Sequence, residues 1–208
     1  MAIAQSDVPL GPYSQKIPAA IKADSKQIDP FVFFDDDGKA YIYFSSQQPE
    51  GCCIAVAELN DSFDGFVPDT FKVVLRASVD WENVKNRKTP TAEGPTVLKR
   101  GGKYVMFYSA NDYRDAEYAV GVAVADSPFG PWEKSATNPL IRGDMINRKG
   151  AGHGDAFLDK NGRIWYVFHT HNSDGKVEPR RTAIVRLKEI FVDGVPAYEA
   201  QWDSFRFL

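Results

Sequence analysis

The chain has 208 residues, with 25 Lys and Arg against 28 Asp and Glu, which gives a formal net charge of −3. No basic block marks a nucleic-acid or membrane surface, and no stretch approaches the roughly 20 apolar residues of a membrane span. We therefore expect a soluble chain with a neutral partner, no nucleic acid and no membrane. The first residues show no signal-peptide pattern, so no export signal is expected here, although secretion or periplasmic export is plausible for a longer relative.

The predicted elements are strands that repeat along the chain, and the first repeat is partial. Residues 4–13 match residues 123–132, because Asp, Pro, Gly, Pro and a final aromatic residue coincide in the two segments. Residues 1–26 are therefore predicted to be the tail of a preceding repeat whose start is absent.

Three fuller copies follow with a period of about 60 residues. Each runs from a polar residue through an apolar strand to a Gly followed by Lys or Arg, and then into an aromatic-rich strand: Asp29–Phe44, Glu93–Tyr108 and His153–Phe168. Polar residues beside the Gly favour tight hairpins. Further strands are predicted at 54–59, 72–75, 119–125, 182–187 and 197–200, and helices should be scarce because no long segment has helical periodicity.

Four short strands per repeat, arranged radially, describe a propeller blade. We predict an all-β fold, a β-propeller of four-stranded antiparallel blades. About three blades are present, at about 27–85, 90–142 and 150–208, in a single domain. A β-sandwich is the alternative, since strands and turns alone do not separate the two folds, and the repeat favours the propeller.

The chain contains two cysteines, Cys52 and Cys53, and they are adjacent. Neighbouring residues in a strand point to opposite faces, so a disulfide between them is not expected. We predict free, buried thiols.

Three titratable residues stand at matching positions in the copies. Each copy has a titratable residue nine positions before its hairpin Gly: Asp29 before Gly38, Glu93 before Gly102, and His153 before Gly162. The first strand of a propeller blade lines the axis, so the alignment predicts that the three side chains ring the channel at one height. A single buried polar residue could be structural, but three at one position indicate a functional site, because burying unpaired carboxylates is costly.

A pair of carboxylates beside aromatic residues suits glycoside hydrolysis, in which one carboxylic acid protonates the leaving oxygen and a second acts on water or the sugar. No P-loop, dinucleotide fingerprint or nucleophile elbow competes with this interpretation. His169 and His171 form an H-x-H pattern, but no third ligand follows at a zinc spacing, so a zinc site is not expected.

Four segments together resemble glycoside hydrolase family 43, and the resemblance covers nearly the whole chain: Ile28–Phe44, Ala92–Lys99, Asp126–Trp132 and Gly152–Phe157. Members of this family are five-bladed propellers that hydrolyse xylosides, arabinofuranosides and arabinans with inversion. The resemblance implies that Glu93 is the general acid and that Asp29 orients this acid and modulates its pKa. It implies that His153 is the axial histidine near the substrate, which in many members lies beside a central metal ion or water.

The resemblance thus admits calcium at the axis near His153, although no cofactor is required and no local oxygen cage in the sequence demands the ion. It also implies a substrate-contacting arginine in the last blade. Arg180 and Arg181 are both candidates, and a solvated surface charge is the alternative for each. Phe31 and Tyr113 are candidates for walls of the sugar pocket, with core or surface packing as the alternative.

The sequence also departs from the family pattern. The family's general base is an Asp at the start of its first blade, and this chain is expected to lack that blade and most of the second. Asp7 falls in an outer-loop motif. Asp155 shares a strand face with His153, yet nothing in the family gives it the role of base. We therefore expect a hydrolase acting on plant cell-wall pentosans whose activity alone is weak or absent.

Two uncovered blade faces would expose apolar surface, so a homo-oligomer, a dimer first of all, is expected to bury them. Two other functions stay open. One is a non-catalytic carbohydrate-binding propeller, and the other is a structural or oligomer-forming remnant.

Overall fold

Three antiparallel sheets follow one another along the chain in a computed structural model that describes residues 1–15, 21 and 25–208. The strands of the first sheet are Gln27–Phe34 (β1), Ala40–Gln48 (β2), Gly51–Leu59 (β3) and Lys72–Leu75 (β4). Those of the second are Ala92–Arg100 (β5), Lys103–Ala110 (β6), Ala119–Ala125 (β7), Glu133–Lys134 (β8) and Ile141–Arg142 (β9). Those of the third are Gly152–Leu158 (β10), Ile164–Thr170 (β11), Arg181–Val192 (β12) and Val195–Phe207 (β13).

Each sheet is a blade in which consecutive strands are neighbours, which confirms the all-β prediction of about three four-stranded antiparallel blades. In the second blade the outer strand is divided, because β8 and β9 both pair with β7. The described residues contain two short 3₁₀ helices, Asp80–Glu82 and Gly143–Ile146. Neither is long and apolar enough to cross a membrane.

The inner strand of every blade carries a β-bulge near its start. The pairing register shifts between Ile28 and Phe31, between Glu93 and Thr96, and between Gly152 and Asp155. The first bulge residue has left-handed backbone in each blade, with φ of 56° at Asp29, 61° at Gly94 and 46° at His153. Gly adopts this conformation freely, and Asp and His are among the few other residues that tolerate it, which explains the residue types at the bulge.

The positions of the bulges show that the sequence alignment of the second copy with the other two is wrong by one residue. Gly94, not Glu93, is the structural equivalent of Asp29 and His153. The reason is a shorter β5–β6 hairpin, because Lys99 pairs with Tyr104 whereas Phe34 pairs with Ala40. The prediction that all three titratable residues share one position is therefore wrong at Glu93, which precedes the bulge.

The blades pack face to face mainly through alternate residues of their second and third strands. One cluster joins the first and second blades and includes Tyr43, Val56, Met106 and Tyr108. A second joins the second and third blades, where the rings of Phe107 and Tyr166 lie 5.5 Å apart. Full burial of such side chains stabilises the fold by about 1.5–3 kcal/mol each.

The outer face of the first blade is covered by part of the leading segment. Ile21 joins Ile42, Phe44 and Ala55 in a third cluster, and Met1 and Ile3 pack against it. Residues 16–20 and 22–24 of the predicted tail lie outside the described residues. The division of the chain into a tail at 1–26 and three blades stays a prediction.

The free face of the third blade is partly polar. The guanidinium of Arg206 lies 5.0 Å from the ring of Trp165. Nε of Arg186 donates to Oε1 of Gln201 at 2.5 Å. These long side chains cover apolar surface with their stems while their charges reach water. Cys52 and Cys53 are both free thiols as predicted, but only Cys53 is buried, and Cys52 is partly exposed.

Candidate functional site

His153 stands between two carboxylates at the start of the inner strands. Its Nε2 lies 3.7 Å from Oδ1 of Asp29, and its Nδ1 lies 3.9 Å from Oε1 of Glu93. The structure therefore brings the three sequence-predicted residues together despite the register offset. Asp29 and Glu93 flank the imidazole on opposite sides.

The two carboxylates raise the pKa of His153 above its ordinary value of 6.5. The interaction with Glu93 contributes most, burial opposes it, and the charge of Asp29 adds to the rise. An imidazolium between two carboxylates is favoured because each opposite charge stabilises the protonated ring.

Two serines on the second strands hold the bulges of the following blades. Ser45 Oγ donates to Oδ2 of Asp29 at 2.9 Å and accepts from the N–H of Gly94 at 3.1 Å. Ser109 Oγ accepts from the N–H of His153 at 2.8 Å. Sequence reasoning missed both serines. A signal existed, because each follows two aromatic residues at the same place in its copy, in Tyr43–Ser45 and Phe107–Ser109.

Tyr118 is a further residue that the sequence did not reveal. Its hydroxyl donates to Oε1 of Glu93 at 2.6 Å and lies 3.4 Å from Nδ1 of His153. The side chain is completely buried. Nothing in the local pattern marks this tyrosine, because it precedes an apolar strand and meets Glu93 only in the folded blade.

His169 lies behind this cluster, stacked between two rings. Its ring centroid is 5.7 Å from that of Tyr118 and 6.3 Å from that of His153. Burial lowers the pKa of His169 to about 3, and the nearby charges of Arg180 and His153 act in the same direction. The ring is therefore neutral at physiological pH, and its Nε2 accepts from Nη1 of Arg180 at 3.0 Å.

The structure separates the two candidate arginines. Arg180 bonds to His169, pairs with Glu178 at 3.2 Å, and lies with its guanidinium 4.9 Å from the ring of Tyr113. Arg181 instead packs its guanidinium 3.7 Å from the ring of Phe207. Arg180 and Tyr113 thus lie beside the histidine cluster, while Arg181 belongs to the outer strands.

A pocket of about 390 Å³ opens beside the cluster. Its walls include Asp29, Phe31, Thr96, His153, Asp155 and His169. Asp155 is exposed and accepts from Oγ1 of Thr96 at 3.0 Å. Asp7 does not line this pocket and lies in the N-terminal segment, where Gln5 pairs with Ser14.

The side chains at the axis do not fit a calcium ion held by the protein. Calcium takes six to eight oxygen ligands. Over the described part of the chain, no group of three or more His, Cys, Asp or Glu side chains could hold a metal ion. His153 offers nitrogen, and the neighbouring carboxylates are already bonded to Ser45 and Tyr118. Calcium therefore stays a prediction that this donor set does not support.

His169 and His171 do not converge on a common point. Nε2 of His169 accepts from Arg180, whereas Nε2 of His171 donates to the carbonyl of Tyr113 at 2.9 Å. The H-x-H pattern thus serves two separate hydrogen bonds.

The chain is similar in sequence to known glycosidases. It is similar to a β-D-galactofuranosidase of Aspergillus niger, 27% identical over 78% of the chain and 43% of that protein. It is also similar to a xylosidase/arabinosidase of Butyrivibrio fibrisolvens, 28% identical over 90% of the chain and 36% of that protein. The chain thus spans less than half the length of these two curated relatives.

The chain is also similar to a solved structure described as an endo-1,4-β-xylanase from Bacteroides thetaiotaomicron, with a TM-score of 0.85 and 37% sequence identity. The superposition covers 95% of this chain and 66% of the xylanase chain. The family model of glycosyl hydrolases family 43 matches residues 1–196. With its propeller blades and its axial carboxylates, the chain belongs to glycosyl hydrolases family 43.

Proposed function

We propose that this chain binds and cleaves oligosaccharides of plant cell-wall pentosans, with Glu93 as the general acid. The observation that carries the proposal is the geometry at the axis. Glu93 is held by Tyr118 at 2.6 Å and faces His153 at 3.9 Å, beside a pocket that Asp29 and Phe31 line. The names of the relatives, which include a xylosidase/arabinosidase, support xylosides and arabinofuranosides as the substrate class.

The chemistry follows from the roles of two carboxyl groups. The proton of Glu93 moves to the glycosidic oxygen as the bond from that oxygen to the anomeric carbon breaks. Water attacks the anomeric carbon from the opposite face of the sugar and gives its proton to a base. Because the attack comes from the face opposite the leaving oxygen, the configuration of the anomeric carbon is inverted. Asp29, bonded to Ser45 and close to His153, orients the acid rather than acting on water.

Asp155 is the carboxylate of this pocket that we propose as a base within the chain. It lines the cavity on the third blade and is exposed to solvent. An inverting mechanism requires about 6.5–9.5 Å between acid and base. The chain spans only part of its relatives, so we propose weak turnover for it alone.

A non-catalytic sugar-binding function is the second candidate. Oδ1 of Asp155 already accepts a hydrogen bond from Thr96 at 3.0 Å, so this oxygen is occupied. If no base acted, Phe31 would still pack against the sugar ring and Arg180 would still donate hydrogen bonds to sugar hydroxyls.

An assay with xylobiose and arabinobiose separates these functions. The experiment follows binding by protein NMR and follows products by ¹H NMR of the anomeric proton. Catalysis by Glu93 as acid and Asp155 as base predicts an inverted product whose release falls at least about 100-fold in Glu93→Gln and in Asp155→Asn. Binding without product would favour the sugar-binding function, and neither binding nor product would overturn both candidates.

A further inference from the structure

Tyr118 makes the shortest contact to the proposed acid although it lies outside the pocket. The tyrosine precedes β7, while Glu93 lies on β5 of the same blade. Its hydroxyl donates to Oε1 of Glu93 at 2.6 Å. Burial and the charge of Glu93 raise the pKa of Tyr118 well above its ordinary value, so the hydroxyl keeps its proton and remains a donor.

Two residues, His169 and Gly152, pack against the ring of Tyr118. His169 stacks on it at 5.7 Å with an interplanar angle of 12°. Gly152 also lies against the ring, since an added Cβ at this position would come within 2.4 Å of it. Position 152 therefore has no room for a side chain, and the small residue allows the ring to lie against the strand backbone.

The neighbours of Glu93 distinguish its two carboxylate oxygens. The close contacts to Tyr118 and His153 both reach Oε1. A hydroxyl that remains protonated donates to an oxygen that carries no proton. When Glu93 is in its acid form, the proton is thus directed to Oε2.

We propose that Tyr118 is the positioning residue of Glu93, which holds Oε1 as the hydrogen-bond acceptor and leaves Oε2 to deliver the proton to the glycosidic oxygen. This inference rests on the proposed function of Glu93 as the acid. The side chain of Tyr118 is completely buried whereas that of Glu93 is partly exposed, so Tyr118 acts through Glu93 and does not touch the sugar.

The test compares Tyr118→Phe with Tyr166→Phe as a matched control. Both substitutions remove one hydroxyl from a completely buried ring, and the Tyr166 hydroxyl makes no hydrogen bond to a carboxylate within the described ranges. The substrates are aryl arabinofuranosides and xylosides with poor and with good leaving groups. A good leaving group departs without protonation and therefore does not need the acid.

We expect Tyr118→Phe to lower kcat on a 4-methoxyphenyl substrate by about 10- to 100-fold, with KM unchanged. On a 2,4-dinitrophenyl substrate the loss should be less than about 3-fold, since protonation is not needed there. Tyr166→Phe should leave both rates unchanged. An equal loss of kcat on both substrates would overturn the inference, because a structural defect would affect every leaving group.

A crystal structure of Tyr118→Phe decides the inference without any turnover. We expect the carboxylate of Glu93 to leave its position beside His153 or to take two conformers, while Tyr166→Phe keeps the native position. An unchanged Glu93 in Tyr118→Phe would overturn the positioning role. Absence of turnover in the native chain on both leaving groups would count instead against the proposed function.

Discussion

Nε2 of His153 lies 3.7 Å from Oδ1 of Asp29, so the imidazole stands between this carboxylate and the proposed acid Glu93 on its other side. The two carboxylates, from neighbouring blades, therefore interact through an imidazole. The pKa of His153 therefore depends on both carboxylates, and measuring it tests whether they lie beside the imidazole.

We predict that His153 titrates above pH 6.5, because its interaction with Glu93 and the charge of Asp29 raise its pKa. A folded-state pKa raised above the unfolded value adds stability that is fully present below pH 6.5 and is lost as the pH rises through the folded pKa. An NMR titration of the imidazole protons measures this pKa. Glu93→Gln should lower the pKa of His153 more than Asp29→Asn does, because the interaction with Glu93 contributes most to the rise.

The assignment is simple because the chain has 3 histidines. A pKa of His153 at or below 6.5 in the native chain, or one unchanged by Glu93→Gln, would contradict the proposed pairing.

The second prediction concerns His169 and the arginine beside it. Burial and the charge of Arg180 lower the pKa of His169 to about 3, so this histidine contributes stability above pH 6.5 that is lost as the pH falls toward 3. Arg180→Ala should raise the pKa of His169 while leaving it below 6.5, because burial is the larger cause.

Arg181→Ala is the matched control, since Arg181 lies over Phe207 and should leave the pKa of His169 unchanged. We expect Arg180→Ala, but not Arg181→Ala, to weaken binding of xylobiose and arabinobiose in isothermal titration calorimetry. Equal effects of the two substitutions would contradict the separation of the arginines.

The third prediction concerns the glycine beneath Tyr118. Gly152→Ala should lower the free energy of unfolding by about 1–3 kcal/mol, because the new Cβ collides with a packed ring. Urea unfolding followed by circular dichroism measures the change. Gly175→Ala is the control, because a Cβ at Gly175 meets nothing within 4 Å, and its effect should stay within about 0.5 kcal/mol. Equal stability of the two variants would contradict the contact between Gly152 and Tyr118.

The fourth prediction is that the chain associates through the free face of its third blade and forms a homo-oligomer, with a dimer expected. The exposed rings of Phe157 and Trp202 on the third blade favour association, whereas Arg206 over Trp165 favours a solvated face. Multi-angle light scattering at micromolar concentration measures the mass. A stable monomer would show that the polar covering of this face is sufficient.

The blades were predictable from the sequence because hairpin turns and alternating apolar strands are local signals. The one-residue offset at Glu93 was not, because a shorter β5–β6 hairpin shifts the bulge relative to Gly102 without changing the hydrophobic pattern. Residue types alone show neither the hairpin length nor the left-handed backbone at Asp29 and His153.

The site was only partly predictable for a similar reason. Asp29, Glu93 and His153 stood out because titratable residues are unusual at the start of apolar strands. Tyr118 reaches Glu93 only across the folded blade. Arg180 and Arg181 are adjacent in sequence, so their separation depends on where β12 begins, which is at Arg181.

The central claim is that Glu93 donates the proton to the leaving oxygen, and the most direct measurement is azide-dependent turnover of a phenyl arabinofuranoside or xyloside. Azide attacks the anomeric carbon as the bond to the leaving oxygen breaks, so no base is required and the acid is tested alone. We predict that the native chain forms the glycosyl azide and that Glu93→Gln forms it at least about 100-fold more slowly. Formation at the native rate in Glu93→Gln, or no azide product from the native chain, would contradict the assignment of Glu93 as the acid.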